Sequence, residues 1–305
     1  MIGPAGKLST FEIKSMNTVV ELSAQSPFFF LFVVFVTSLM IGSFLNVVIH
    51  RLPIMMERGF KAEYEAYISE EEIKPAETYN LIKPDSTCPS CGHRIRAWEN
   101  IPVLSYLLLK GKCAGCGTAI SARYPCVELA TALFSALAAW HFGPGMQAVA
   151  AVIVVWFLMP LVMIDLDHML LPDQLTLPLL WFGLLLSLND VFVDPATAIV
   201  GAAAGYLSLW SVYWLFKLLT GKEGMGYGDF KLLAALGAFT GWQGLPVIII
   251  LSSAVGAVIG LIIQFSRKQG GDLAIPFGPY LAVAGFLTLL YKQPIIDAYI
   301  QWITP

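Results

Sequence analysis

The sequence predicts an all-α polytopic membrane protein with about eight transmembrane helices and a small zinc-binding cytoplasmic domain between the first and second. Three observations point there. Of the 305 residues, 57% are hydrophobic and only 13% charged, against roughly 25% charged in an ordinary soluble domain. The mean hydropathy is +0.72. The charges are also segregated: ten basic and nine acidic residues, about half of all charge, fall between Arg51 and Arg123. A net charge of −3 offers nothing to nucleic acid.

Residues 1–26 form a polar N-terminal tail of no assigned role. The first transmembrane helix is expected at 27–50, because positions 22–49 carry no Asp, Glu, Lys or Arg. That run of 28 positions exceeds the apolar core of a signal peptide, about 7–15 residues, and suffices to span a bilayer. Residues 51–123 make the cytoplasmic domain and 124–291 a membrane-embedded core. Within the core, 125–164 holds one charge, Glu128, and is broken at 141–145, giving two helices. A short fourth span is expected at 174–189 and a fifth at 195–216. The run 231–266, broken near 241–246, gives a sixth and a seventh. The sixth is short, as suits a helix that starts inside protein rather than in lipid. An eighth covers 273–291, and 292–305 is a C-terminal tail.

Cytoplasmic connections are enriched in Lys and Arg. With 51–123 inside, Lys217, Lys222, Lys231, Arg267 and Lys268 also fall inside, and the outer connections 141–146, 190–196 and 241–246 hold no Lys or Arg. Both termini are then outside.

Four of the five cysteines form two C-x-x-C-G knuckles, Cys88/Cys91 and Cys113/Cys116, separated by 21 residues. That spacing lies just beyond the about 15–20 of a zinc ribbon. Four thiolates can enclose a tetrahedral zinc without leaving an open position, which makes the metal structural. Two disulfides are the alternative, disfavoured in the cytoplasm. Cys126, at the start of a membrane helix, reads as a small buried residue.

Carboxylates near a bilayer are costly and must be paired, protonated or used. One candidate is Asp229, in Gly226-Tyr227-Gly228-Asp229; the other is one of Asp165, Asp167 and Asp173. Asp165 and Asp229 are 64 residues apart yet at matching depth on the cytoplasmic side. A close pair shares one proton, so that one group acts as base toward water while the other donates to a carbonyl. The glycines let an extended peptide approach Asp229, although helix capping is the simpler use of an aspartate beside them. Capping also explains Asp173, after Pro172, while Asp167 and His168 read as solvated. Asp165, nearest the apolar span, is the most costly and the preferred partner. Asn46 and Glu128, polar residues in membrane helices, serve either substrate binding or interhelical hydrogen bonds.

The chain strongly resembles the type IV prepilin peptidases, the bifunctional leader peptidase/N-methyltransferases. The matching stretches are Gly42-Ser43-Phe44-Leu45-Asn46 and His50-Arg51-Leu52-Pro53, both C-x-x-C knuckles, Asn100-Ile101-Pro102, Arg123-Tyr124-Pro125 with Glu128, residues 165–173, and Gly226 to Lys231. Glu99 stands where the family more often has aspartate. The resemblance implies a G-x-G-D aspartyl protease with Asp165 and Asp229 catalytic. It implies cleavage after a glycine that ends a short basic leader of prepilins or pseudopilins, at the cytoplasmic face of a bacterial inner membrane. It also implies methylation of the new N-terminal amine from S-adenosylmethionine, within pilus or type II secretion systems. No glycine-rich loop of the Rossmann kind is present, so the methyl-donor site is unassigned. Oligomeric state is likewise open. Two other classes compete: a proton- or ion-coupled transporter using the aspartates as relays, for which no repeat between the halves is evident, and an assembly scaffold docking partners through its zinc domain.

Overall fold

In lipid, a single chain segment satisfies its backbone polar groups internally only as a helix, and the long uncharged runs of this chain are helical in the computed structural model. It describes residues 26–68, 78–266 and 275–303. Most of the predicted N-terminal tail, residues 69–77 of the predicted cytoplasmic domain, Arg267, Lys268 and the first two residues of the predicted eighth span lie outside them. Among the described residues there are α1 (Pro27–Ile68), α2 (Leu104–Leu108), α3 (Arg123–Phe142), α4 (Met146–His168), α5 (Asp173–Ser187), α6 (Pro195–Thr220), α7 (Tyr227–Thr240), α8 (Leu245–Ser266) and α9 (Gly278–Ile303). No strands occur there beyond two isolated bridges.

Among the described residues six helices are long and apolar enough to cross a membrane: α1, α3, α4, α6, α8 and α9. The other two predicted spans are short, 15 residues in α5 and 14 in α7. At a rise of about 1.5 Å per residue the latter reaches only about 21 Å, short of a hydrocarbon layer of roughly 30 Å. The reason is visible in its burial. Phe230 and every residue from Leu232 to Thr240 is buried, enclosed by α5, α6, α8 and α9. An element that meets protein on all sides has no need to match the bilayer's thickness.

The break between α3 and α4 is where the sequence places it, with Gly143 at φ +68° closing α3. Two ends differ from expectation. Helix α1 continues past residue 50 through Pro53 to Ile68, because Val48, Ile49 and Leu52 pack with Val127 and Ile164 and carry the helix past the apolar boundary. Helix α9 continues past residue 291 to Ile303, bending at Tyr291 (φ −124°, ψ 22°).

Close helix contacts rest on small residues. A Cβ on Gly42 would lie 2.8 Å from Glu128 Cα, so α1 and α3 touch backbone to backbone. Gly201 meets the backbone of Gly237, and a Cβ on Gly205 would lie 2.6 Å from the Leu233 carbonyl, so the Gly-x-x-x-Gly face of α6 lies on α7. Because the helices alternate in direction, the end of α4 and the starts of α3, α5, α7 and α9 meet at one end of the bundle, beside the cysteine domain.

Candidate active site and metal centre

Each cysteine knuckle is built the same way. Cys88 N–H donates to the His93 carbonyl at 2.9 Å and Gly92 N–H to the Cys88 carbonyl at 2.9 Å. In the second, Cys113 N–H donates to Thr118 at 2.8 Å and Gly117 N–H to Cys113 at 2.9 Å. Gly92 (φ +70°) and Gly117 (φ +72°) sit in the left-handed region that closes such turns. Both knuckles thus aim their thiols at one point, with all four sulfurs within 4.8 Å of one another. Cys88 and Cys116 Sγ are 3.9 Å apart, and Cys91 and Cys113 Sγ 4.0 Å. A tetrahedron with Zn–S of about 2.3 Å has edges of about 3.8 Å, so the donor set fits zinc. None of the cysteines is disulfide-bonded.

The thiols differ in their surroundings. The Thr118 hydroxyl, 3.1 Å from Cys116 Sγ, and the Thr118 backbone N–H hold that thiol down to about 6. The His93 N–H favours the Cys91 thiolate, but the crowded neighbouring sulfurs push that thiol up to about 12. A bound cation would let all four ionise together. Glu99 closes the first knuckle, accepting from Arg96 N–H at 2.9 Å and contacting His93 Nε2 at 3.1 Å. The Arg96 N–H and His93 together hold its carboxyl below the usual range. Cys126 is exposed on α3, not buried: Val127, Glu128 and Thr131 form the inner face and Cys126 faces away from it.

The three aspartates at the end of α4 and the start of α5 have separate fates. Asp167 is bound two-pronged by Arg123, at 2.9 and 2.5 Å. Asp173 does not cap α5: Pro172 holds the cap position and makes no side-chain cap bond. Asp173 instead takes Lys231 Nζ at 2.7 Å on each oxygen. His168 is exposed. Asp165 is 5% exposed, and its Oδ2 accepts the Gly278 backbone N–H at 2.9 Å. Asp229, 8% exposed, is no cap either: Gly226 is the cap residue of α7 and makes no side-chain bond. Its Oδ1 is buried with no hydrogen-bond partner.

Asp165 and Asp229 both have neighbours packed on Leu171. Leu171 sits between their supports. A Cβ on Gly228 would lie 2.7 Å from Leu171 Cβ, and one on Gly278 would lie 3.0 Å from Leu171 Cδ2 and 2.7 Å from Asp165 Oδ2. Neither acid has a basic partner among the described residues.

Polar residues tie this end of the bundle to the cysteine domain. Glu128, 7% exposed, accepts the Val103 N–H at 2.8 Å, holding Val103 at φ +60°, a region a β-branched residue rarely enters. Asn46 Nδ2 donates to the Tyr124 carbonyl at 3.2 Å. Both therefore serve contacts between elements. Buried Arg51 donates to the carbonyls of Asn80 (3.0 Å) and Pro84 (2.7 Å), pinning the start of the domain to α1. The reading of the sequence missed Gly278 and the roles of Val103 and Arg51. For Gly278 a signal existed: Pro276-Phe277-Gly278-Pro279 interrupts the entry to an apolar run.

Comparison with known proteins bears on these residues. Residues 36–142 match the bacterial peptidase A24 N-terminal domain, and residues 151–261 match the type IV leader peptidase family. A prepilin leader peptidase/N-methyltransferase of Aeromonas salmonicida is 57% identical over 94% of this chain and 100% of its own length. A protein of the same description from Pseudomonas aeruginosa is 55% identical over 93% of this chain and 98% of its own length. Another from Dichelobacter nodosus is 52% identical over 87% and 93%. No solved structure matches.

Proposed function

The chain belongs to the type IV leader peptidase family, and from that premise we propose that it is a prepilin leader peptidase/N-methyltransferase whose protease site is the pair Asp165 and Asp229. One observation carries the site: among the described residues these are the two buried aspartates at the cysteine-domain end of the bundle, without a cation partner, while Asp167 and Asp173 are consumed by Arg123 and Lys231 and the other buried acid there, Glu128, is taken by the Val103 N–H. A pair of this kind holds one proton. The ionised member takes a proton from water as it attacks the scissile carbonyl, and the other donates to the carbonyl oxygen.

The protein is a multi-pass bacterial membrane protein. The excess of Lys and Arg at the end that bears the cysteine domain supports placing that end in the cytoplasm of an inner-membrane protein. A prepilin or pseudopilin then presents its scissile bond where its basic leader stays inside and its apolar helix enters the bilayer. The leader is removed after its terminal glycine, and the new amine is methylated from S-adenosylmethionine. The systems served are those that assemble type IV pili or type II secretion pseudopili. Cys88, Cys91, Cys113 and Cys116 hold a structural zinc, which braces the knuckles and supplies no reactive position.

Incubation of the purified protein with a prepilin and S-adenosylmethionine tests the reading by mass spectrometry. The expected product has lost its leader and gained one methyl group. A pilin that keeps its leader contradicts the peptidase, and one shortened without a methyl confines the enzyme to proteolysis.

A further inference from the structure

The hydrogen bond on Asp165 comes from a part of the chain beyond the peptidase-family match, which ends at residue 261. Gly278 is the first residue of α9. Its two neighbouring prolines, Pro276 and Pro279, have no N–H to offer. The carbonyl of Phe277 already accepts from Tyr280 (3.1 Å) and Leu281 (3.2 Å), which fixes the first turn of α9 and aims the Gly278 N–H outward. That N–H, one of the donors every helix start leaves without an intrahelical partner, goes to Asp165 Oδ2 at 2.9 Å.

The glycine's backbone does not explain its presence. Gly278 is not among the described glycines with positive φ, so any residue could adopt its conformation. Space explains it. A Cβ there would lie 2.7 Å from Asp165 Oδ2, 3.1 Å from its Cγ and 3.0 Å from Leu171 Cδ2. Any side chain would push the carboxylate out of the position that the N–H fixes. Asp229 Oδ1, by contrast, has no donor at all.

We infer that the entry to α9 is a third component of the peptidase site, with Gly278 as the positioning residue that holds the Asp165 carboxylate by its N–H and by its lack of a side chain. The inference rests on Asp165 and Asp229 being the catalytic pair. It makes the site a product of three helices, α4, α7 and α9, and gives the two carboxylates different surroundings: Asp165 takes an N–H from a separate helix, and Asp229 Oδ1 takes none.

Two variants test it in the full-length protein. An amide-to-ester replacement at position 278 removes the N–H and leaves the shape unchanged, and Gly278→Ala adds the Cβ. Prepilin cleavage supplies kcat and KM, and methylation of an already cleaved pilin reports an intact fold. A hydrogen bond to a charged group sustains about a 10- to 100-fold rate factor. The ester should therefore lower kcat by that factor, with KM within about twofold and methylation unchanged, and Gly278→Ala should lower kcat at least as far. An ester variant that cleaves at the wild-type kcat overturns the proposal, as does one that loses methylation and cleavage together. If Gly278 variants cleave normally while Asp165→Asn does not, the catalytic pair stands and only the role of Gly278 falls.

Discussion

Asp229 sits in the first turn of α7 without capping it, and one of its oxygens is buried with no partner. Leaving such a group unsatisfied costs about 1–3 kcal/mol, and groups of this kind are retained where they work. Asp229→Asn should abolish leader cleavage and yet, by removing a buried charge, raise stability in detergent by about 1 kcal/mol, read as an increase in Tm; a lower Tm would mean that the carboxylate stabilises the fold. Arg123 and Asp167 are the opposite case. Their side chains are 41% and 32% exposed, so Arg123→Ala should cost under about 1 kcal/mol by the same measurement. The sequence favoured Asp165 by its nearness to the apolar span, but the ion pairs of Asp167 and Asp173 were hidden, because their cations, Arg123 and Lys231, are 44 and 58 residues away. Only the packing of α3 on α4 and of α5 on α7 brings those pairs together.

Helix α7 is where the elements carry most of the argument. Its shortness suggested a start inside protein, and its burial among α5, α6, α8 and α9 agrees. Its contact with α6 depends on Gly201 and Gly205 meeting the backbone of Gly237 and Leu233. This Gly-x-x-x-Gly pair is plain in the sequence, but its partner helix is not, since small residues also line α7 itself. Gly205→Leu forces α6 from α7 and should cost at least about 1–3 kcal/mol, seen as a lower Tm in detergent. An unchanged Tm would show that the two helices do not meet there. Helix boundaries were legible where glycine stops a helix or proline starts one, as at Gly143 and Pro195. They were not legible at residue 50, where the apolar run ends but the helix continues, because packing on Val127 and Ile164 holds it. The entry to α9 was passed over for the same reason: its N–H has meaning only beside Asp165.

At the scale of the whole molecule, a domain built around four clustered cysteines is fastened to one end of a helical bundle by Arg51 and Glu128, and the buried carboxylates lie at that same end. The cysteine domain was readable because spacing and turn glycines fix a local geometry that needs no distant partner. Elemental analysis should find about one zinc per chain, lost in a Cys88→Ser, Cys113→Ser double variant. Hydrogen exchange in residues 86–120 should then rise sharply while α4 and α7 stay protected. A metal-free protein with unchanged exchange would rule out the structural zinc. The central claim concerns the catalytic pair, and one measurement meets it directly: the kcat for prepilin cleavage by Asp165→Asn, Asp229→Asn, Asp167→Asn and Asp173→Asn, compared side by side. Loss of an acid or base from the pair should lower the rate about 10²- to 10⁴-fold for Asp165→Asn and Asp229→Asn, with the other two within about threefold of wild type. Cleavage that survives in either of the first two, or fails only in Asp167→Asn or Asp173→Asn, would contradict the account.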